Sequence, residues 1–123
     1  HSASLHFEKL RTVSALNESL QKAHQSQQAV MVDFYADWCI ACIEMEHQVF
    51  NQPEVASALN QTKLIQVDIT DNPEADALLN QFKLIGPPAI LFWNKEGQLL
   101  EKATILGAMT KSAFLSHLTQ YQN

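Results

Sequence analysis

The sequence predicts an α/β fold in which helices flank both faces of a central mixed β-sheet. The length of 123 residues is typical of one domain, which we expect to span residues 1–123. Apolar residues make up 46% of the chain, which is ample for one hydrophobic core. Strand-like and helical patterns follow one another in the order β-α-β-α-β-α-β-β-α, in which the two helices on either side of the break at Pro53 are counted as one. An early strand pair joined through a helix predicts parallel pairing and a late hairpin predicts antiparallel pairing, hence a mixed sheet.

The first half of the chain contains two strand-like runs and three helical patterns. The first helix has Thr12 as its expected N-cap, and apolar residues recur along it at helical spacing. The second strand leads directly into Cys39 and Cys42, and Pro53 breaks the helix that follows them. The predicted elements are a strand from Leu5 to Leu10, a helix over about Val13 to His24, a buried strand from Ala29 to Tyr35, a helix from about Cys39 towards Phe50 and a short helix from Pro53 to Leu59.

The second half contains the remaining strands, a turn with two prolines and the terminal helix. Asp71-Asn72-Pro73 is typical of a helix start, Gly86-Pro87-Pro88 of a turn and Lys95-Glu96-Gly97-Gln98 of a hairpin. We expect Thr110 to cap the last helix. The predicted elements are a strand from Lys63 to Ile69, a helix carrying Leu78, Leu79 and Phe82, strands from Ala89 to Trp93 and from Leu99 to Leu106, and a terminal helix that buries Phe114, Leu115 and Leu118.

Charge and hydropathy exclude two broad classes of function. The formal net charge is −5 and Lys and Arg form no cluster, so nucleic-acid binding has no electrostatic basis. No apolar run approaches the roughly 18–20 residues of a membrane span, so we expect no membrane insertion of this domain. The polar start His1-Ser2-Ala3-Ser4 is not a signal peptide. Because the chain begins with His rather than Met, we expect a processed protein or an excised domain.

The chemistry of the chain is predicted by its only two cysteines, Cys39 and Cys42, at the start of a helix. Two thiols at this spacing can close into a disulfide and reopen. The helix N-terminus favours a negative sulfur, so we expect an exposed Cys39 as the nucleophile and a more buried Cys42 as the resolving thiol. A static structural disulfide and a zinc half-site stay open as alternatives. A disulfide that closes so short a loop adds little stability to a fold. The chain has no second CxxC or HxxxH to complete four zinc ligands, so we expect no metal.

Two carboxylates are expected to tune these thiols. Asp33 lies six residues before Cys39 on an apolar strand, where a charge is costly to bury. Glu46 lies four residues after Cys42 and seven after Cys39, which puts it on the cysteine face of the helix. We hypothesise that both carboxylates raise the pKa of Cys39 and exchange a proton with Cys42. The alternative is that Asp33 is a satisfied buried polar group and Glu46 a surface residue.

Four further residues are candidates for contact with a substrate. Pro88 precedes an apolar strand and can be cis or trans, and the sequence alone leaves both open. A cis peptide bond presents the backbone of Pro87, which offers a carbonyl but has no N–H, to an extended substrate. Trp38, just before Cys39, either lines a partner groove or covers the core. We expect Tyr35 to lie at the rim of the site.

The chain resembles the thioredoxin family over about residues 10–120. The resemblance is carried by the run from Val32 to Cys42, by Asp68-Ile69-Thr70-Asp71-Asn72-Pro73, by Ile85-Gly86-Pro87-Pro88-Ala89, and by Gly107 before an amphipathic terminal helix. It implies the thioredoxin fold and protein-disulfide reductase activity. It also implies that Cys39 attacks, Cys42 resolves, Asp33 assists proton transfer and Pro88 is cis.

Where the chain departs from general thioredoxins, it resembles one subgroup, the C-terminal periplasmic domains of the DsbD family. The pattern Tyr35-Ala36-Asp37-Trp38-Cys39-x-Ala41-Cys42-x-Glu44-x-Glu46 carries this resemblance. Ile40-Ala41 replaces the Gly-Pro of general thioredoxins, and its lack of charge favours a reducing role. Gln66 replaces the lysine usually paired with the strand aspartate, and about Glu46 to Asn60 is an extra segment. Pro87 departs from the subgroup, in which a less rigid apolar residue is commoner.

This second resemblance implies a relay of electrons within a larger inner-membrane protein. The domain would lie in the periplasm, take electrons from the transmembrane domain of the same parent and pass them to its N-terminal periplasmic domain. It would act as a monomer with Glu46 as a pKa-modulating residue and with no cofactor beyond the disulfide of Cys39 and Cys42. The alternatives are a free-standing thioredoxin-like general disulfide reductase, a non-catalytic binding module and a metal-binding domain.

Overall fold

The apolar runs form one sheet of five strands in a computed structural model that describes residues 5–121. Across the sheet the strands, numbered along the chain, stand in the order β1-β3-β2-β4-β5. The two longest strands, β2 and β3, are central and neighbouring, which buries both of their faces. The strands are β1 (Glu8–Leu10), β2 (Ala29–Tyr35), β3 (Thr62–Asp68), β4 (Ala89–Trp93) and β5 (Ile105–Leu106).

The pairing directions make the sheet mixed, as predicted. β3 is parallel to both β1 and β2, and its register with β2 runs from Ala29 opposite Thr62 to Tyr35 opposite Asp68. β4 is antiparallel to β2 and to β5. Parallel neighbours need a crossover, and the connection from β2 to β3 contains two helices. The carboxyl ends of β2 and β3 therefore lie at one edge of the sheet.

Helices cover both faces of this sheet. Buried residues of α1 and α4 share one core cluster with Val32 and Phe34 of β2. Those of α3 and α5 share a second cluster with Met31 on the opposite face of the same strand. Such alternation is what a strand buried on both sides requires. Helix α2 contributes to both clusters, Cys42 to the first and Met45 to the second. The helices are α1 (Val13–Gln25), α2 (Ile40–Gln48), α3 (Pro53–Ala58), α4 (Ala75–Asn80) and α5 (Lys111–Tyr121).

Both predicted threonine caps are confirmed. Thr12 Oγ1 accepts a hydrogen bond of 3.1 Å from the backbone N–H of Ala15. Thr110 Oγ1 likewise accepts from the N–H of Ala113 at 3.1 Å. Each bond satisfies one of the free donors at a helix start, a contribution of typically about 1 kcal/mol.

The predicted strand from Leu99 to Leu106 is wrong in extent. Leu99 forms only an isolated bridge with Trp93, and a 3₁₀ turn over Glu101–Ala103 then interrupts the pairing. The turn puts Ala103 fully into the core and leaves the two charged residues before it in solvent. The remaining strand is β5, two residues long.

Three smaller expectations also need correction. The first strand is shorter than Leu5 to Leu10, because only Glu8–Leu10 pairs with β3. α4 ends at Asn80, so Phe82 packs from the turn that follows rather than from the helix. Leu115 is only partly buried, whereas its neighbours in the predicted apolar set are buried.

Candidate functional site

The two cysteines lie where the loop after β2 enters α2. The loop is held by two backbone hydrogen bonds, from the N–H of Asp37 to Thr70 Oγ1 at 2.8 Å and from the N–H of Cys39 to the carbonyl of Ala36 at 3.0 Å. Cys39 is the N-cap of α2, and Cys42 lies in its first turn. The two residues form a disulfide with their Cα atoms 5.3 Å apart. The predicted placement of the pair at a helix N-terminus is thus confirmed.

The expectation that Cys39 is exposed is wrong in this disulfide form. Cys39 is 7% exposed and Cys42 is 4% exposed, so only their predicted order of burial holds. The side chain of Cys39 turns inwards because it caps the helix and is bonded to Cys42. Its two chain neighbours point outwards instead, Trp38 at 64% and Ile40 at 73% exposure. The alternative that Trp38 covers the core is excluded.

The helix N-terminus faces the sulfur of Cys39. Cys39 Sγ accepts a hydrogen bond from the backbone N–H of Cys42 at 3.2 Å. Free N–H groups and the dipole at the start of a helix stabilise negative charge, which favours a thiolate at this position after reduction. Cys42 Sγ lies 3.9 Å from the carbonyl oxygen of Phe34, on the inner side of the pair.

A buried polar cluster lies between α2 and the two central strands. Asp33 is 4% exposed and stands opposite Gln66, itself 3% exposed, in the β2–β3 register. Gln66 Nε2 donates to Asp33 Oδ2 at 3.2 Å and to Glu46 Oε2 at 3.3 Å. The structure therefore brings the two predicted carboxylates together, and the side chain that lies between them is the amide of Gln66. The sequence marked Gln66 only as a departure from lysine; a glutamine in a buried strand was the available signal.

Burial raises the pKa of Asp33 from 3.8 to about 7. The hydrogen bond from Gln66 lowers it, and the nearby charge of Glu46 raises it further. Burial dominates because a carboxylate loses its hydration in the core without gaining a cation. A carboxyl group with a pKa near neutrality can both take up and release a proton at neutral pH.

Tyr35 lies at the end of β2, half-buried between carboxylates. Burial, a hydrogen bond to Asp37, and the charges of Glu46, Asp37 and Asp68 raise the pKa of Tyr35 to about 12. Its hydroxyl is consequently neutral at physiological pH and acts as a hydrogen-bond donor. Its position between Asp37 and Glu46 agrees with the predicted rim of the site.

The peptide bond between Pro87 and Pro88 is cis, which confirms what the thioredoxin resemblance implied. Phe34 stands opposite Ala89 in the antiparallel β2–β4 pair, so the two prolines lie at the same sheet edge as the cysteines. A groove of about 340 Å³ runs beside them, lined among others by Ile85, Pro87, Pro88 and Leu106.

Two exposed apolar residues of this groove were not predicted as site residues. Ile85 is 101% exposed and Leu106 is 73% exposed. Together with Trp38 and Ile40, they complete the set of large hydrophobic side chains that stand out from the surface of residues 5–121. Exposed apolar residues grouped at one edge mark an interaction surface rather than a folding requirement. Neither residue has a sequence signal, because exposure depends on what packs above the turn.

Other types of site have little support in the described part of the chain. Among residues 5–121, no group of three or more His, Cys, Asp or Glu side chains is placed to hold a metal ion. His47, the histidine nearest to the cysteines in sequence, is exposed on α2. No helix within residues 5–121 has the length and apolar character needed to cross a membrane.

Comparison with known families matches this site to thiol chemistry. The model of the family described as thioredoxin-like matches residues 11–95. The thiol:disulfide interchange protein DsbD of Klebsiella pneumoniae is 43% identical over 121 residues, which are 98% of this chain and 20% of that protein. DsbD of Vibrio vulnificus is 39% identical over 123 residues, 99% of this chain and 21% of that protein. The chain thus spans about a fifth of the length of these curated relatives.

Solved structures point to one part of those relatives. The oxidised C-terminal domain of Neisseria meningitidis DsbD superposes with a TM-score of 0.77 and 33% identity, over 91% of this chain and 97% of that chain. Its reduced form gives a TM-score of 0.72 and 35% identity, over 87% and 94%. A thioredoxin from Thermus thermophilus has a TM-score of 0.71 at 22% identity, over 94% and 87%, a similarity that shows the fold alone.

Proposed function

Because this chain belongs to the thioredoxin-like family and, within it, groups with the C-terminal domains of DsbD, we propose that it is a protein-disulfide reductase. It passes electrons between other proteins by dithiol–disulfide exchange through Cys39 and Cys42. The observation that carries the proposal is the disulfide of these residues at the N-terminus of α2. Asp33, a buried carboxyl group whose pKa is about 7, lies on β2, the strand that leads into this pair.

The reaction follows from the geometry of the two sulfurs. In the reduced protein the Cys39 thiolate attacks one sulfur of a partner's disulfide, forming a mixed disulfide and releasing the partner's other sulfur as a thiolate. Cys42, one turn along and already within bonding distance, then attacks Sγ of Cys39 as a thiolate. This restores the disulfide and releases the second partner sulfur. Two electrons pass to the partner, whose two thiolates take up the two protons that the cysteines lost.

Asp33 and Glu46 serve the proton steps of this cycle. Cys42 has to lose its proton before it attacks, inside a site where both cysteines are buried. Asp33, with a pKa of about 7, accepts this proton in its ionised form and returns one in its neutral form. The carboxylate charge on Asp33 and Glu46 also raises the pKa of Cys39, which keeps part of the nucleophile protonated until a partner docks.

The exposed rim of the site receives the partner. Tyr35 and Trp38 precede the cysteines along the chain, and the two prolines lie at the same sheet edge. Pro87 offers a backbone carbonyl and no N–H, so it can accept one hydrogen bond from an extended segment but donate none. Apolar contact with Trp38 and with the groove beside Pro88 supplies the remaining affinity.

The wider proposal is that this domain relays electrons within one parent protein. Electrons arrive from a transmembrane domain and leave to an N-terminal periplasmic domain, with this domain lying in the periplasm as a monomer. The disulfide of Cys39 and Cys42 is the carrier, and no bound cofactor takes part. The support is the name of the curated relatives, the fifth of their length that this chain spans, and its match to their C-terminal domain.

Trapping tests the proposal. Cys42→Ala, which leaves the attacking sulfur, is expected to accumulate a mixed disulfide with a partner that mass spectrometry identifies. The matched control Cys39→Ser with Cys42→Ala should trap nothing. Cys39→Ser alone should lower the rate of insulin disulfide reduction by at least about 10³-fold. Unchanged insulin reduction in Cys39→Ser, or the same adducts in the control, would overturn the assignment.

A further inference from the structure

One neutral side chain joins three elements beneath the redox site. Gln66 projects from β3, while its two acceptors belong to β2 and to α2. A primary amide nitrogen carries two hydrogens, and here each has a carboxylate to receive it. Gln66 is almost fully buried, so its amide is largely shielded from bulk solvent. The amide therefore holds Asp33 and Glu46 on a single atom.

The neutrality of this link has a consequence for charge. A lysine at the same place would neutralise one carboxylate and lower the pKa of the other, whereas an amide supplies hydrogen bonds without a charge. Glu46 consequently stays close enough to act on Asp33, and its charge is among the causes that raise the pKa of Asp33. Glu46 is only partly buried, and without a tether its long side chain is free to turn into solvent.

We propose that Gln66 is a positioning residue for proton transfer, which clamps Glu46 against Asp33 so that the charge on Glu46 governs when Asp33 releases its proton. The proposal rests on the proposed function, because Asp33 there exchanges a proton with Cys42. It assigns to Gln66 an effect that acts through another residue, with no contact to the partner. It also explains why a glutamine stands opposite a buried aspartate in the register of two apolar strands.

A small cavity connects this cluster to the outside. It measures about 170 Å³, and its lining includes Lys9, Glu46, Asn51 and Gln66. None of its lining residues belongs to the rim formed by Trp38, the cysteines and the prolines. The cavity thus gives Glu46 an opening on the side of β1, away from the rim that receives a partner.

The remaining charged and titratable groups around the cluster are few. Lys9 on β1 stands in register opposite Gln66 and lines the cavity, so it places a cation on that side. Tyr35 follows on β2 and interacts with Glu46. The cysteine pair lies on α2, and β4 places apolar Ile90 opposite Asp33.

A double-mutant cycle tests the clamp in the oxidised protein. The pH midpoint of Asp33 is read from its ¹³C carboxyl NMR signal in four proteins: the native chain, Glu46→Gln, Gln66→Met, and both together. Glu46→Gln is expected to lower the Asp33 midpoint by about half to one pH unit in the native chain. In the Gln66→Met background, similar in volume, it should shift the midpoint by less than about 0.2 pH units. Equal shifts in both backgrounds would overturn the proposal.

Two further variants guard the interpretation. Gln81 is exposed and donates to Asn17, so Gln81→Met is the matched control and should leave the effect of Glu46→Gln intact. Gln66→Lys keeps donors for both carboxylates and adds a charge, so it should lower the Asp33 midpoint by about one pH unit or more. A midpoint that is unchanged in Gln66→Lys would also count against the clamp, even where Gln66→Met does not fold.

The reduced protein supplies a readout that a merely structural role leaves unmoved. The pH dependence of Cys39 alkylation should shift to lower pH with Glu46→Gln in the native chain but not in Gln66→Met. Failure of the clamp and failure of the proposed function are distinguishable. Insulin reduction that survives Cys39→Ser would sink the proposed function, while the titration of Asp33 in the oxidised protein still decides the role of Gln66.

Discussion

The two faces of the central strands β2 and β3 are equally buried but chemically different. On the face covered by α1 and α4, the buried strand residues are all apolar: Val30, Val32, Phe34, Ile65 and Val67. On the face covered by α2, α3 and α5, two polar residues stand side by side among apolar ones: Asp33 and Gln66. The difference lies under the helix that carries the cysteines. One face stabilises the fold, whereas the other places a titrating group where the chemistry needs it.

The comparison shows how one strand serves both purposes. Successive side chains of a strand point to opposite faces, so Asp33 can be polar while Phe34, the next residue, is fully buried in the apolar core. Burying a carboxylate without a cation is unfavourable, and the raised pKa of Asp33 records that penalty. The buried carboxyl group therefore lowers the stability of the fold. Removing its charge should raise the free energy of unfolding, whereas truncating a side chain on the apolar face should lower it.

Truncation on the apolar face has the largest expected effect on stability. Phe34→Ala removes a fully buried ring that packs edge-on against Phe82 at a centroid distance of 6.0 Å. The free energy of unfolding should fall by about 3–5 kcal/mol, measured by urea denaturation of the oxidised protein. Ile40→Ala, at a 73% exposed position, is the control and should change it by less than about 0.5 kcal/mol. A loss below about 1 kcal/mol for Phe34→Ala would contradict this account of the apolar face.

On the polar face, a substitution should raise the free energy of unfolding rather than lower it. Asp33→Asn removes the charge but keeps a carbonyl that accepts from Gln66, so the free energy of unfolding at pH 8 should rise by about 2–4 kcal/mol. A pKa raised from 3.8 to about 7 sets the upper end, since each pH unit corresponds to about 1.4 kcal/mol. Below about pH 3, Asp33 is largely neutral in both folded and unfolded states, and the two proteins should differ by less than about 1 kcal/mol.

The sign of the pH dependence follows from the same pKa. Between about pH 4 and pH 7 the unfolded chain has released the Asp33 proton while the folded chain retains it, so stability falls as the pH rises through this window. Asp33→Asn should flatten that slope. The exposed Asp76→Asn is the matched control and should preserve it. A native stability that rises steadily from pH 4 to pH 7, relative to Asp33→Asn, would refute the raised pKa.

The rim at the edge of the sheet should show the smallest effect on stability and a selective effect on reactivity. Ile85→Ser replaces a fully exposed side chain, so the free energy of unfolding should change by less than about 0.5 kcal/mol. Loss of one apolar contact with a docked protein should slow insulin reduction by about 3–10-fold, roughly 1 kcal/mol. Reduction of a small aromatic disulfide, followed by absorbance, should be unchanged. If Ile85→Ser slowed the reduction of insulin and of the small disulfide equally, the rim would have no specific role in docking a protein.

Much of this molecule follows from local patterns in the chain. The strands from Ala29 to Tyr35 and from Ala89 to Trp93 were predicted with their observed bounds. A buried strand is recognisable in a sequence as a short apolar run between residues that favour turns. Thr12 and Thr110 were recognised as caps, since a cap and its partner lie three residues apart. The spacing of Cys39 and Cys42 also sufficed to place both at the start of a helix.

Predictions that needed more than local spacing did less well. The strand from Leu99 to Leu106 was too long, because its apolar residues bury through a 3₁₀ turn that the alternation does not reveal. The exposure expected for Cys39 was wrong, because the cap and the disulfide turn its side chain inwards. The cis bond before Pro88 came from a family resemblance, since the sequence alone left both isomers open.

By itself, then, the sequence determined the layers of the fold, the helix starts and the redox pair, all of which depend on residues a few positions apart. Only the tertiary structure decided that Gln66 lies between Asp33 and Glu46, and that exposed apolar residues gather beside Pro87 and Pro88. The physical reason is register: Asp33 meets Gln66 because two strands 33 residues apart pair at one particular offset, and a shift of one residue would turn both side chains to the other face.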